Sequence, residues 1–210
     1  MYRAFRTAAF RRIGISNDLS GAAVQLKRNY HFQLLNLKVG FTKLVDTHPE
    51  SDKLYVSQVQ LNQNGAVKQI CSGLRQHMPQ ERLQDQLVVV VDNMKKCKLR
   101  GQVSEGMLLC GEDVSKDEVK LCTPAKFDMG LVGRSIVLQS NDEEMSAPTT
   151  RKIKTKEWED ISSRLRVGQE GRVVYTEENS ERQEQLCVYD ENSVPVPIVA
   201  ADLPSGSAVK

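Results

Sequence analysis

Four cations lie within six residues of the chain, at Lys95, Lys96, Lys98 and Arg100. Because charged side chains are costly to bury at this density, we expect them to project from the surface. An apolar run at 107–110 follows shortly afterwards and would anchor these cations to a core. Such a rigid ledge of positive charge is suited to binding phosphate, and the alternative interpretation is an ordinary solvated loop.

A second group of side chains has residue types that occur in catalytic sites. His48, Glu50 and Asp52 lie within five residues, but the segment contains a proline and is typical of a turn whose side chains bond their own backbone. No nucleophile accompanies them, and His77 near Ser72 lacks the third group of a hydrolytic triad. We therefore predict that the chain is not an enzyme.

The five cysteines do not have the spacing of a zinc site. None forms a C-x-x-C pair, and no histidine stands at metal-ligand spacing from them. An odd number without a secretory signal favours free thiols, buried as small apolar residues in a reducing compartment. We expect neither a metal nor another cofactor. The cysteines are Cys71, Cys97, Cys110, Cys122 and Cys187.

The composition predicts a globular protein with one substantial core, with or without a small appendage. Of 210 residues, 40% are hydrophobic and 27% charged, and the net charge is +2. Residues 31–110 hold ten Lys or Arg against seven Asp or Glu, whereas residues 111–210 hold 13 against 19. A nucleic acid would therefore bind the 31–110 segment. No run approaches the roughly 18 apolar residues of a membrane span, so we predict no membrane partner.

The first 30 residues have the composition of a targeting segment. Six Lys or Arg stand against a single acidic residue. This pattern is typical of a mitochondrial transit peptide, and an arginine at position 28 places cleavage near His31. The alternative is a basic arm that itself binds RNA. The sequence thus predicts a mitochondrial matrix protein, with the cytoplasm as the alternative location.

Short β-rich runs separated by turn residues predict a small all-β barrel. Asn64-Gly65 marks a hairpin turn, and the uninterrupted apolar run Leu87–Val91 predicts a strand that is buried on both faces. A five-stranded OB-fold fits the pattern, and such folds bind oligonucleotides on one face and through their loops. Strands are predicted near 35–45, 54–61, 67–72, 87–92, 104–110 and 134–139, with a helical turn at 80–85.

A linker and a smaller α+β extension are predicted after the barrel. The segment 140–150 is polar, acidic and contains a proline. Trp158, Ile161 and Leu165 recur at helical spacing, which predicts a helix over 155–165 with the tryptophan as a packing anchor. Further strands are expected at 172–176, 186–189 and 194–199. The predicted domains are the leader 1–30, the OB-fold barrel 31–140 and the C-terminal extension 141–210.

Four sequence blocks occur in order within residues 35–111. They are His48-Pro49-Glu50-Ser51-Asp52-Lys53-Leu54-Tyr55-Val56, Cys71-Ser72-Gly73-Leu74, Asn93-Met94-Lys95 through Lys98-Leu99-Arg100-Gly101, and Ser104-Glu105-Gly106-Met107-Leu108-Leu109-Cys110. Together they resemble the tRNA-binding domain of the endothelial monocyte-activating polypeptide II type, which is found in aminoacyl-tRNA synthetase cofactors, in some synthetases and in free-standing tRNA chaperones. The resemblance also implies an OB-fold. Family members usually carry a smaller residue where Glu50 or Ser51 sits, a departure that affects the turn rather than the binding face.

The cations and the resemblance together define a candidate RNA-binding surface. We predict that Lys95, Lys98 and Arg100 bind phosphate. Arg75 and His77 are candidates for flanking contacts.

The resemblance implies three further contacts. It places Asn93, Ser104 and Met107 on or beside the RNA-facing surface, as contacts to bases or sugars and as an apolar ledge. Each has a structural alternative, since Asn93 could cap a turn, Ser104 could satisfy a backbone group and Met107 could belong to the core.

The lysine-rich residues 151–159 resemble the family's lead into a tryptophan-bearing helix. In that family the element covers the surface that smaller relatives use to dimerise, which implies a monomer with a pseudo-dimer extension. The sequence therefore predicts a non-catalytic, structure-selective tRNA-binding protein that delivers tRNA to a mitochondrial aminoacyl-tRNA synthetase. The alternative is a protein-interaction adaptor that uses the OB-fold and the acidic C-terminal half without binding RNA.

Overall fold

The structure, a computed structural model, describes residues 32–139, 149–177 and 182–210. The predicted leader 1–30 and most of the predicted linker 140–150 lie outside the described residues. Short strands dominate the described part, which contains 16 strands and one α-helix. No helix in that part is long and apolar enough to cross a membrane.

The strands in chain order are β1 (Leu37–Thr47), β2 (Tyr55–Gln60), β3 (Val67–Ser72), β4 (Leu87–Val91), β5 (Cys97–Leu99), β6 (Gln102–Ser104), β7 (Met107–Leu108), β8 (Cys110–Asp113), β9 (Glu118–Leu121), β10 (Thr123–Pro124), β11 (Ile136–Leu138), β12 (Leu165–Val167), β13 (Val173–Thr176), β14 (Gln183–Tyr189), β15 (Pro195–Val199) and β16 (Ala208–Val209). The helix is α1 (Thr155–Ser162), and short 3-10 helices span Phe32–Leu34, Gln80–Arg82, Met129–Leu131 and Gln169–Gly171.

Five strands form a curled antiparallel sheet in the order β3-β2-β1-β4-β7. The first half of β1 pairs with β4 and its second half with β2, and a register shift between Thr42 and Leu44 lets the strand bend between them. The sheet closes where the connection between β6 and β7 meets β3, since Glu105 N donates to Gln69 O (2.9 Å). The all-β class and the barrel predicted from the sequence are confirmed.

β4 separates two cores, and all five of its residues are buried. Val88 and Val90 lie in the interior of the barrel. Leu87, Val89 and Val91 lie in a larger core that also contains residues of the extension. The prediction that this strand is buried on both faces is confirmed, because each face packs against a different layer.

A second sheet joins the barrel to the extension. Its order is β10-β15-β14-β13-β12-β16-β8-β9, and β11 pairs with β14. β16 connects the two halves because it pairs with both β8 and β12. α1 docks through the buried Ile161 and the partly buried Trp158, so the tryptophan packs against the core as predicted. The predicted domain boundaries stay predictions, and strand pairing crosses the one at residue 140.

Three expectations are wrong in detail. The helix predicted over 155–165 ends at Ser162, and Leu165 begins β12. The segment 104–110 is not one strand, since it breaks at Glu105-Gly106 between β6 and β7. A Cβ added at Gly106 would stand 3.2 Å from the Val91 carbonyl oxygen, so this close approach at the barrel corner favours glycine. Cys97 was expected to be buried, but it is exposed on β5, while the other four cysteines are buried.

Candidate nucleic-acid interface

The cationic segment forms a tight β-hairpin, β5–β6, rather than an irregular loop. Lys98 lies opposite Val103 in the pairing. The turn residues Arg100 and Gly101 have φ angles of 46° and 89°. Left-handed conformations at both central positions suit a two-residue hairpin turn, so Lys98 and Arg100 are presented in a defined geometry.

A buried histidine braces the tip of this hairpin. His48 is 2% exposed, and its Nδ1 accepts a hydrogen bond from Glu50 N (3.0 Å). Its Nε2 then carries a proton and donates to Leu99 O (2.9 Å). The Arg100 guanidinium also donates to Glu50 O (2.9 Å). One imidazole nitrogen therefore stabilises the turn after β1, and the other attaches the hairpin to this turn. Both bonds agree with the structural interpretation of this segment.

The cations of the hairpin differ in their availability. Lys96 pairs with Glu105 (2.5 Å) and lowers the pKa of that carboxyl. Lys95 and Lys98 are exposed and form no ion pair within the described part of the chain. Arg100 is also exposed, although one of its N–H groups is used by a carbonyl. Lys95, Lys98 and Arg100, here named the hairpin cations, therefore remain accessible to a phosphate.

Asn93 is a buried joint between three parts of the molecule, and it is only 2% exposed. Its Oδ1 accepts from Asn36 N (3.0 Å), and its Nδ2 donates to Leu34 O (2.7 Å) and Arg151 O (2.9 Å). Ile153 N donates to Asn93 O (3.0 Å). These bonds tie the segment before β1 and the lead into α1 to the end of β4. A direct contact of Asn93 with RNA stays a prediction.

Ser104 is likewise enclosed, with 3% exposure. Its Oγ accepts a hydrogen bond from Cys71 N (3.0 Å) and donates to Gly106 O (3.0 Å). The hydroxyl thus satisfies a backbone group of β3 and helps to attach the hairpin to the barrel. Its direct contact with RNA also stays a prediction, and the geometry gives it a positioning role.

The remaining three predicted contacts lie near the end of β3. Met107 packs in part against the larger core and, together with the exposed His77, lines a cavity of about 330 Å³. The Arg75 guanidinium donates to Ser51 O (2.9 Å), which ties it to the same turn that supports the hairpin. The structure therefore brings Met107 and His77 together, whereas Arg75 supports a neighbouring segment.

The lead into α1 carries a second group of cations. Because Asn93 forms hydrogen bonds with two backbone groups of this lead, the lead lies next to the segment that enters the hairpin. Ile153 is buried, so its neighbours in the extended chain point outward. Lys152, Lys154 and Lys156, here named the extension cations, are exposed. The sequence pattern of this run indicates only the dimer-covering element and contains no signal for its attachment to the segment that enters the hairpin.

Arg151, in contrast, binds a carboxylate of the same element. Its Nη2 and Nη1 contact Glu157 Oε1 (2.6 Å) and Oε2 (3.1 Å), and Lys154 N also donates to Glu157 Oε2 (2.9 Å). The Arg151 guanidinium and then this backbone bond lower the pKa of Glu157 to about 2. Glu157 thus stays ionised near neutral pH and holds the first turn of α1.

Residues 37–130 match the protein family described as "Putative tRNA binding domain". The cytoplasmic methionine–tRNA ligase of Caenorhabditis elegans is 32% identical over 137 residues, which cover 65% of this chain and 14% of the ligase. The tRNA-aminoacylation cofactor arc1 of Schizosaccharomyces pombe is 28% identical over 138 residues, which cover 65% of this chain and 30% of arc1. The chain therefore spans less than a third of the length of these relatives.

Two further comparisons bear on the barrel and the fold. Aminoacyl tRNA synthase complex-interacting multifunctional protein 1 of Mus musculus is 35% identical over 85 residues, which cover 40% of this chain and 27% of that protein. The crystal structure of the C-terminal domain of Plasmodium vivax p43 is similar with a TM-score of 0.66 and 25% identity, over 85% of this chain and 98% of that domain. The structural likeness thus extends beyond residues 37–130 into the extension.

Proposed function

We propose that the protein binds tRNA without catalysing a reaction on it, because residues 37–130 match the tRNA-binding domain family that the four sequence blocks resemble. The observation that carries the proposal is the attachment of the lead into α1 to Asn93, which brings the segment with the extension cations next to the segment that enters the hairpin. We infer one basic surface to which both the barrel and the extension contribute.

This surface recognises the shape of RNA through its phosphates. Cations held on a braced hairpin have fixed spacings, which match the fixed phosphate positions of a folded RNA better than those of a flexible strand. Each phosphate contact contributes about 0.7–0.9 to the slope of log affinity against log salt concentration. The three hairpin cations therefore give a slope of about −2 to −3, and all six cations give about −5.

The finer proposal is that the protein acts in trans for an aminoacyl-tRNA synthetase. Its relatives include a synthetase, a synthetase complex-interacting protein and a tRNA-aminoacylation cofactor. A module of modest affinity raises the local concentration of tRNA at a tethered enzyme without new chemistry.

We place this activity in the mitochondrial matrix because of the Arg-rich composition of residues 1–30, with the cytoplasm as the alternative. We also propose a monomer, because the extension packs on the outward face of β4.

The proposal is tested by measuring the anisotropy of labelled total tRNA with the full chain over a salt series, with a DNA hairpin of equal length as competitor. We expect tRNA to be preferred. The double variant Lys98→Ala, Arg100→Ala should bind more weakly, with a salt slope shallower by about 1.5, since two phosphate contacts are lost.

The matched control removes the same charge at two other exposed lysines. The variant Lys43→Ala, Lys116→Ala should keep the affinity and the salt slope of the parent protein, because both side chains lie away from the hairpin turn in sequence and are exposed. Equal effects of the two double variants would defeat the site assignment. If the full chain bound no RNA at low salt, the adaptor function would be favoured instead, with the acidic residues 111–210 as its docking half.

A further inference from the structure

Three large apolar side chains are exposed on adjoining segments outside the proposed RNA-binding surface. Phe127, Met129 and Val194 are 62%, 41% and 53% exposed. The first two belong to the segment that follows β10, and Val194 belongs to the turn between β14 and β15. Single apolar residues on a surface are ordinary, whereas a group of them indicates an interaction site. These three side chains are here named the apolar loop surface.

Hydrogen bonds hold the two segments of this surface side by side. The antiparallel pairing of β10 with β15 continues to Ala125, whose N–H donates to Pro197 O (2.8 Å). The Arg134 guanidinium connects the segments farther along, since it donates to Gly130 O (2.9 Å) and to Asp190 O (3.2 Å). The three apolar side chains are therefore presented by a backbone that is held in place.

Carboxylates surround the apolar loop surface. Lys126 pairs with Asp128 (3.1 Å). The pKa of Lys126 is raised mainly by Asp128 and further by Asp190 and Glu191, so all three carboxylates lie near one ammonium group. The second cation nearby, Arg134, donates to backbone carbonyls of both segments. Three carboxylates thus face two cations that already have partners, and this excess of negative charge favours a cationic partner.

The apolar loop surface and the hairpin cations lie near opposite ends of β2 and β3. Gln63, in the turn between these strands, donates to Met129 O (3.1 Å) and Val132 O (3.0 Å). The hairpin is attached near the other end of β3, where Cys71 N donates to Ser104 Oγ. β2 has six residues, so its two ends are about 17 Å apart. A partner on the apolar loop surface would therefore leave the hairpin cations free for tRNA.

We infer that the apolar loop surface docks a cationic amphipathic helix of a partner protein, an inference that rests on the proposed function, in which the partner is the synthetase. Such a helix has one apolar stripe, which covers the three exposed side chains, and Lys or Arg on both sides of that stripe. Its cations then lie close to the three carboxylates. Docking away from the hairpin lets the enzyme and the tRNA bind at the same time, as delivery in trans requires.

The probe is a labelled synthetic peptide of about 18 residues, or five helical turns, made of leucine, alanine and lysine with the leucines at helical spacing. A second peptide has the same composition in a shuffled order that forms no apolar stripe. Fluorescence anisotropy measures the affinity of the full chain for each peptide. We expect the helical peptide to bind more tightly than the shuffled one, because only the helical peptide offers an apolar stripe.

The double variant Phe127→Ser, Met129→Ser should bind the helical peptide about tenfold more weakly, since two apolar contacts are lost. Both side chains are exposed, so the melting temperature should change little. Glu191→Gln should bind the peptide more weakly and with a shallower salt dependence. The matched control is Leu44→Ser, Val114→Ser, which removes two other exposed apolar side chains and should keep the affinity of the parent chain.

The same variants are titrated with total tRNA. Phe127→Ser, Met129→Ser should keep the tRNA affinity and the salt slope of the parent chain, because every cation remains. Lys98→Ala, Arg100→Ala should show the opposite pattern, with weaker tRNA binding and unchanged affinity for the helical peptide.

Equal affinity for the two peptides, or unchanged peptide affinity in Phe127→Ser, Met129→Ser, would overturn the inference while tRNA binding still supported the proposed function. A parent chain that dimerises in sedimentation velocity, with a monomeric Phe127→Ser, Met129→Ser variant, would also overturn it, because a second copy would then cover the surface. Failure of the parent chain to bind tRNA at low salt would overturn the proposed function whatever the peptide result. The failures are therefore distinguishable.

Discussion

At the level of single residues, two polar side chains of the proposed RNA-binding motif form hydrogen bonds with backbone groups of the protein itself. Asn93 and Ser104 were predicted to contact RNA, yet the structure surrounds them with backbone partners. A motif residue can thus serve binding by holding the contact residues in place. The hairpin and the lead into α1 are both attached through these two side chains.

The substitution Asn93→Ala should lower the free energy of unfolding by about 2–3 kcal/mol, because the Asn36 N–H and two carbonyls lose their partner while they remain buried. Urea denaturation measures this loss. Asn192→Ala, in an exposed turn, is the control and should have little effect. If Asn93→Ala lowered the free energy of unfolding no more than the control does, the hydrogen bonds of Asn93 would not stabilise the connection between these segments.

Glu157 gives a prediction of pH dependence. Its pKa is about 2 in the folded protein and ordinarily 4.5, so the folded state favours the ionised form. The stabilisation is therefore fully present above about pH 4.5 and is lost as the pH falls toward 2. The difference in unfolding midpoint between the parent chain and Glu157→Gln should be constant near neutrality and shrink in this acid window.

Glu159→Gln, on the same helix and exposed, is the control for the loss of a charge. Near neutral pH its unfolding midpoint should differ little from that of the parent chain, because an exposed side chain without a special contact contributes little to stability. If the difference in unfolding midpoint between the parent chain and Glu157→Gln stayed constant down to pH 2, ionised Glu157 would not stabilise the first turn of α1.

At the scale of elements, the β5–β6 hairpin shows what the sequence could not specify. Lysine is uncommon in strands, so the cation cluster resembled a loop in sequence, and β5 was missed. The long strand predicted at 104–110 was wrong because its hydrophobic pattern does not record the barrel corner at Gly106. In contrast, β4 was predicted correctly, because a run of five apolar residues has few alternatives to burial on both faces.

The hairpin turn gives an element-scale prediction. Gly101 has a φ of +89° and open space around it, so Gly101→Ala should cost about 1 kcal/mol through backbone strain alone. We expect weaker tRNA binding, because the strained turn displaces Lys98 and Arg100. Gly65 in the β2–β3 turn, with a φ of +80° and equally open surroundings, provides the matched control.

Gly65→Ala should therefore lower the melting temperature by a similar amount and leave tRNA binding unchanged. If both alanine variants reduced binding equally, the effect would come from general destabilisation, and the role assigned to the hairpin geometry would be wrong. Anisotropy titrations and thermal unfolding of the two variants provide the comparison.

At the scale of the whole molecule, the barrel and the extension are parts of one cooperative structure. The larger core contains residues from both, and β16 pairs with a strand of each half. We therefore predict a single unfolding transition. Trp158, the only tryptophan, reports on the extension by fluorescence, while circular dichroism reports mainly on the many strands.

The two signals should share one midpoint in urea. Loss of the tryptophan signal at a lower urea concentration would show that the extension unfolds independently of the barrel. In that case the extension cations would not be held beside the hairpin cations, and the joint basic surface would form only while the extension is docked.

The amino-acid sequence alone predicts the all-β class, the barrel strands β1 to β4, the location of Trp158 on a helix and the resemblance to the tRNA-binding domain family. These features depend on local periodicity and on residue blocks that stand close together in the chain. Tertiary packing attaches the lead that carries the extension cations to Asn93, and it brings Ser72, Glu112 and Lys210 into the lining of one cavity. These groups are separated by tens of residues, and their proximity results from packing of the shared core, which no local pattern encodes.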